Sequence, residues 1–193
     1  MANHVHTHVE FQRINEAAKN RLQELYAKVR EDSTYKWFGD IFVVDDDFDK
    51  IEDRWWMTEN VGAKWCYFED RDEDYFTTES AWAPPIDGIE KLLEDLSQYD
   101  KKLLTVVRYE DEFPNFIGAA VYVGKTEIDS REDEDDEILE MAMEKFPEIK
   151  GKFDFENGEW EDEESEEFWN DIAWEYRAEL MDDFVSETLD LLG

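Results

Sequence analysis

Three histidines alternate at the start of the chain, in His4-Val5-His6-Thr7-His8-Val9. Residues two apart on an extended strand point to one face, so the three imidazoles share a side and two of them could chelate a transition metal. The same pattern describes a polar sheet face opposite Val5, Val9 and Phe11, and that is the preferred reading. Asp45, Asp47 and Asp49 open like a calcium loop. The sixth position, where the turn needs glycine, is Lys50, and the twelfth, where a bidentate glutamate belongs, is Trp56. Asp70, Asp72 and Asp74 fail in the same way at Tyr75 and Ala81. Cys66, between Trp65 and Tyr67 in an apolar run, reads as core rather than nucleophile. There is no phosphate-cradling glycine loop and no GxSxG, and carboxylates are too abundant for any pair of them to specify a glycosidase. The expectation is therefore no enzyme, no catalytic residue, no cofactor and no metal site.

The carboxylates themselves are the stronger signal. The 193 residues carry 54 Asp and Glu against 20 Lys and Arg, a formal charge of -34. Residues 127–193 hold 27 of those acids and 5 bases, net -22. Hydrophobic residues make up 41% of the chain and aromatics 15%, which separates it from acidic disordered sequences and predicts a packed core. Within the last stretch, Glu163, Glu167, Asp171, Glu175, Glu179, Asp183 and Glu187 form an unbroken i, i+4 row. Like-charge pairs at this spacing each cost about 0.2–0.5 kcal/mol, so the six pairs cost about 1–3 kcal/mol. Phe168, Trp169, Ile172, Ala173, Tyr176 and Leu180 supply an apolar face whose burial outweighs that repulsion.

The elements that must position these residues follow from periodicity. The histidine stretch reads as a strand, and Ile14, Ala18, Leu22, Leu25 and Val29 as a helix after it. Beyond an acidic and aromatic insertion at about 31–62, AKWCYFE and YFTTESAW read as strands joined around DRDED, with Trp65 and Trp82 expected to be largely buried. Pro84-Pro85 opens a helix carrying Ile86, Ile89, Leu93 and Leu96 on one face. LLTVVRY and FIGAAVYV are two more strands. The order β-α-β-β-α-β-β predicts an α+β fold, a ferredoxin-like antiparallel sheet with two helices on one face, over residues 1–125. A composition change at Gly124 to Ser130 marks the boundary of an acidic, mainly helical extension, 126–193. There, Asn157-Gly158 predicts a hairpin turn, and Asp162 the cap of a helix running to about Leu191.

Several short motifs occur in order: Trp55-Trp56, Asn60-Val61-Gly62-Ala63-Lys64-Trp65, Phe76-Thr77, Ala81-Trp82-Ala83-Pro84-Pro85-Ile86 and Phe116-Ile117-Gly118, behind a MANHV start. In these the chain resembles the Api92-like family of uncharacterised phage and plasmid proteins. The resemblance covers roughly residues 1–125 and implies a ferredoxin-like domain and a mobile-element origin, without an activity. The acidic insertion and the acidic last third depart from that pattern, which places whatever is particular to this member there.

Duplex DNA carries one negative charge per roughly 1.7 Å of axis, and an acidic helix row can imitate a phosphate track. The expected function is a phage-type DNA mimic that occupies the nucleic-acid-binding site of a host protein, in an anti-restriction, anti-CRISPR or other host-takeover role. The partner-binding carboxylates would be Glu163, Glu167, Asp171, Glu175, Glu179 and Asp183, extended by Glu132, Asp133, Glu134, Asp135, Asp136 and Glu137 and by Asp45, Asp46, Asp47 and Asp49. The expected partner is a host DNA- or RNA-binding protein or nuclease complex with a basic groove, with no direct nucleic-acid binding. The alternative is an acidic chaperone or adaptor for basic proteins, anchored by tryptophans such as Trp160 or Trp174 in a flexible tail. Acidity that serves solubility alone is a third reading. A single cysteine, no basic and apolar leader and no long apolar run predict a soluble, cytoplasmic protein without membrane contact.

Overall fold

Alternation in the first ten residues builds a strand buried on one side only, and the rest of the sheet assembles on either edge of it. The computed structural model describes residues 3–29, 37–42, 54–113 and 115–193. Asp45, Asp46, Asp47 and Asp49 lie outside the described residues. The elements run β1 (His4–Arg13), α1 (Glu16–Tyr26), α2 (Trp37–Phe42), α3 (Arg54–Val61), β2 (Cys66–Arg71), β3 (Tyr75–Ala81), α4 (Ile86–Leu96), β4 (Leu104–Asp111), β5 (Phe116–Val123), β6 (Thr126–Glu134), α5 (Asp135–Lys145), β7 (Phe153–Asp154), β8 (Glu159–Trp160) and α6 (Glu163–Leu192). Six strands form one antiparallel sheet in the order β2-β3-β1-β4-β5-β6. The fold class is α+β.

Both faces of the sheet are covered, but over different strands. Val9, Phe11, Phe76, Val107, Ala120 and Tyr122 face a core completed by Leu22 and Leu25 of α1 and by Ile89, Leu92, Leu93 and Leu96 of α4. Phe38 of α2 and Met57 and Val61 of α3 join the same core, so the acidic insertion contributes helices to it. On the opposite face Val106, Ile117, Ala119 and Val121 meet Ile138, Leu139 and Ala142 of α5 and Trp169, Ala173, Tyr176, Met181 and Val185 of α6. Strands β4 and β5 are thus sandwiched, which is why they read as near-continuous apolar runs. The histidine-bearing face of β1 lies outside both cores.

The composition change at 124–130 falls on the β5–β6 turn, and the sheet continues across it, Val121 pairing with Asp129 and Phe116 with Glu134. With Ile128 its only large apolar residue, β6 shows no hydrophobic alternation. It is an edge strand whose charges discourage further pairing. Beside it, Gly118 lies under the Tyr109 ring, where an added Cβ would meet ring atoms at 2.3 Å, and the Tyr109 hydroxyl donates to Glu132 at 2.9 Å.

The expectation for Trp82 is corrected. Strand β3 ends at Ala81, and Trp82 takes a left-handed backbone with φ 70°, which leaves its ring 51% exposed with the Lys64 ammonium 5.7 Å from its centre. Trp65 is half-buried, packed edge-on against Tyr67 and His4 rather than sealed in the core.

Candidate functional site

Helix α6 starts where its cap places it. The Asp162 carboxylate accepts from the Ser165 backbone N–H at 2.8 Å and from its hydroxyl at 2.7 Å, while Lys152 donates to the other oxygen at 2.8 Å. These three bonds hold the Asp162 carboxyl down to about 2, Lys152 contributing most. Lys152 precedes the β7–β8 hairpin, whose turn uses Gly158 at φ 70°, so the hairpin and the helix start are latched together.

Burial along α6 has a period of four. Ser165, Trp169, Ala173, Arg177, Met181 and Val185 are buried, each four residues after the last. The acid row is offset from this seam by two residues, about 200°, and Glu163, Glu167, Asp171, Glu175, Glu179 and Asp183 are all exposed. An i, i+4 row drifts about 40° per step around a straight helix. Seam and row drift together, because the helix is covered first by α5 and the β7–β8 hairpin and then by the sheet. The acids therefore form a continuous right-handed ridge directly opposite the buried side. Lys145 neutralises Glu179 at 2.5 Å, whereas Glu163, Glu167, Asp171, Glu175 and Asp183 have no ion pair among the described residues.

The second acidic run is divided by its surroundings. Glu132, Glu134, Asp136 and Glu137 are exposed, Glu134 and Glu137 exchanging the reciprocal bonds of a capping box at the start of α5. Asp133 is buried against Arg131 at 2.7 Å, and Asp135 bonds the buried Arg177. Both carboxylates are thus held by arginines of the fold, Asp133 away from solvent and Asp135 still half-exposed.

Comparison with protein-family models, curated proteins and solved structures gives no match for this chain. The residues alone carry the functional argument.

A second surface joins distant parts of the sequence. On the free face of the sheet, register places His6 opposite Glu79 of β3, and Glu79 opposite Tyr67 of β2. Glu69 sits in a β-bulge between Phe68 and Asp70, where one extra residue re-aims the side chain. His6 Nδ1 lies 3.7 Å from a Glu69 oxygen, and His4 Nδ1 2.7 Å from Glu79. His8 instead stacks on Tyr75 at 5.7 Å; burial lowers its pKa, opposed by Glu10 and reinforced by Arg108. Alongside, α6 leans over the sheet and leaves a groove of about 270 Å³ lined by His6, His8, Arg108, Ile117, Met181 and Asp182. Arg108 of the sheet reaches Asp182 of α6 at 3.1 Å, with Glu10 of β1 3.7 Å away.

Proposed function

We propose that the protein is a DNA mimic whose acidic ridge on α6 occupies the basic nucleic-acid groove of a host protein. The observation that carries this reading is the opposition of ridge and seam: every exposed acid of the row is backed by a packed side chain. Eleven acids and one base fall within the 30 residues of α6, one acid per about 4 Å of axis, close to the one charge per about 3.4 Å of a single DNA strand. The ridge winds in the same right-handed sense as such a strand. Counted on to the exposed Glu187, its six steps span about 36 Å, near one duplex turn. The mechanism is competitive: carboxylates meet the lysines and arginines that otherwise meet phosphates, and no covalent bond changes.

The adaptor alternative, with exposed tryptophan anchors in an acidic tail that can stay mobile until binding, has less support. Trp160 packs on Phe153 at 5.1 Å, and the Arg177 guanidinium lies 5.6 Å from the half-exposed Trp174 ring. The strand order β2-β3-β1-β4, with α1 and α4 on one face, supports reading that part as a ferredoxin-like core and, with it, the likeness to phage and plasmid proteins. No helix among the described residues is long and apolar enough to cross a membrane, in keeping with a partner in the host cytoplasm.

The test is competition. Proteins captured from host lysate should be basic nucleic-acid-binding proteins, released by excess duplex DNA and by salt as screening shortens below about 8 Å. The Glu167→Lys, Asp171→Lys, Glu175→Lys triple variant should capture none of them. A captured partner that holds duplex DNA and this protein together, each at full affinity, would overturn the competitive mechanism.

A further inference from the structure

Independently of the mimic reading, we propose that His6, Glu69 and Glu79 form a binding site for a zinc-class divalent cation on the free face of the sheet. Each offers one ligand atom, and the three atoms lie within 4.8 Å of one another. Bonds of about 2.0–2.2 Å in tetrahedral geometry separate ligand atoms by about 3.3–3.6 Å. The 3.7 Å between His6 Nδ1 and Glu69 already approaches that, and rotation of the exposed His6 and Glu69 side chains toward the half-buried Glu79 would close the remaining separations.

The chemistry selects the ion. One imidazole nitrogen with two carboxylates suits zinc and its first-row neighbours, whereas calcium takes six to eight oxygens and magnesium near-ideal octahedral oxygen. The imidazole also distinguishes this cluster from the diffuse counterions that any chain of net charge -34 collects. Three different strands supply the ligands, so their placement is set by sheet register and not by a flexible loop. Glu69 owes its position to the bulge. His4 is the positioning residue: its Nδ1 lies 2.7 Å from one Glu79 carboxylate oxygen and leaves the other for the ion, the arrangement by which outer groups orient metal ligands. Three protein ligands leave a fourth position for water or for a small donor, and His6 and Glu69 also line the groove beside α6.

The full chain, stripped with a chelator and returned to about 0.15 M salt to screen diffuse binding, is titrated with zinc by calorimetry and with cobalt(II) by visible absorption. The expected result is one saturable equivalent per chain, with cobalt d–d bands showing nitrogen ligation and a perturbed His6 ring resonance. His6→Ala and Glu79→Gln should abolish that event, and His4→Ala should weaken it by about 10–100-fold. Glu167→Gln and His8→Ala should leave it unchanged. His6 and Glu69 are exposed, so unfolding curves of the apo variants serve as the folding control. A tight equivalent that survives His6→Ala, or titrations of wild type and His6→Ala that superimpose, would overturn the site.

Discussion

Arg177 on α6 is buried to within 3% of its side-chain surface, and its guanidinium bonds Asp135, the first residue of α5, which remains 41% exposed. The pair is asymmetric. Its guanidinium also lies 5.5 Å from the Trp169 ring, and its Nε has no hydrogen-bond partner. Removing the acid strands a buried cation; removing the arginine leaves a carboxylate that water can reach. Asp135→Ala should therefore cost about 3–5 kcal/mol, whereas Arg177→Met, apolar and of similar length, should change stability by about 1 kcal/mol or less. Urea unfolding of the two variants decides it, and equal losses would contradict the asymmetry.

The acidic ridge should trade stability against binding. Asp171→Lys removes two like-charge i, i+4 pairs, with Glu167 and Glu175, and creates two opposite-charge pairs in their place. At about 0.2–0.5 kcal/mol for each pair lost and each gained, the variant should be about 1–2 kcal/mol more stable. Affinity for the partner should fall in the same variant. Chemical denaturation beside a binding titration checks both signs; a variant that is both less stable and binding-deficient would mean that Asp171 supports the fold.

Acid should open the latch between the hairpin and α6 in a defined window. The folded Asp162 carboxyl, at about 2, lies below its ordinary 3.8. The latch therefore stabilises the fold fully above pH 3.8 and loses that contribution as pH falls through about 2. The carboxyl carbon resonance of Asp162 should titrate with a midpoint near 2, and Lys152→Ala should move the midpoint upward, since Lys152 is the largest cause of the depression. An unmoved midpoint would assign the effect to Ser165 alone.

Much of the fold was legible because its signals are local. Histidine and valine alternation gives β1, Asp162 and Asn157-Gly158 give the start of α6 and the hairpin, and Pro84-Pro85 precedes α4. Strand β6 was not, because an exposed edge strand such as TEIDSREDE buries too little to show a period. Trp82 misled for a different reason: composition said core, while a single left-handed residue turned the ring outward. Of the candidate surfaces, the acid row was readable from spacing within one helix. The histidine cluster was not, because Glu69 and Glu79 reach His6 only through strand register and a bulge, and no spacing within one segment encodes a three-strand contact. Arg177 escaped notice as one base among many acids, though its four-residue spacing from Ala173 and Met181 marks it as part of the seam.

The four-residue period makes α6 work like a screw thread, with one flank cut for the sheet and the other for solvent. Substituting an acid changes what the outer flank presents and leaves the thread intact. Adding one residue between Trp169 and Met181 instead rotates everything beyond it by about 100°, and adding two exchanges the flanks, driving Asp183 toward the sheet and Val185 into water. The helix can thus be rewritten in chemistry but not in count, and a chain altered to suit another partner must keep the length from Asp162 to Leu192 unchanged.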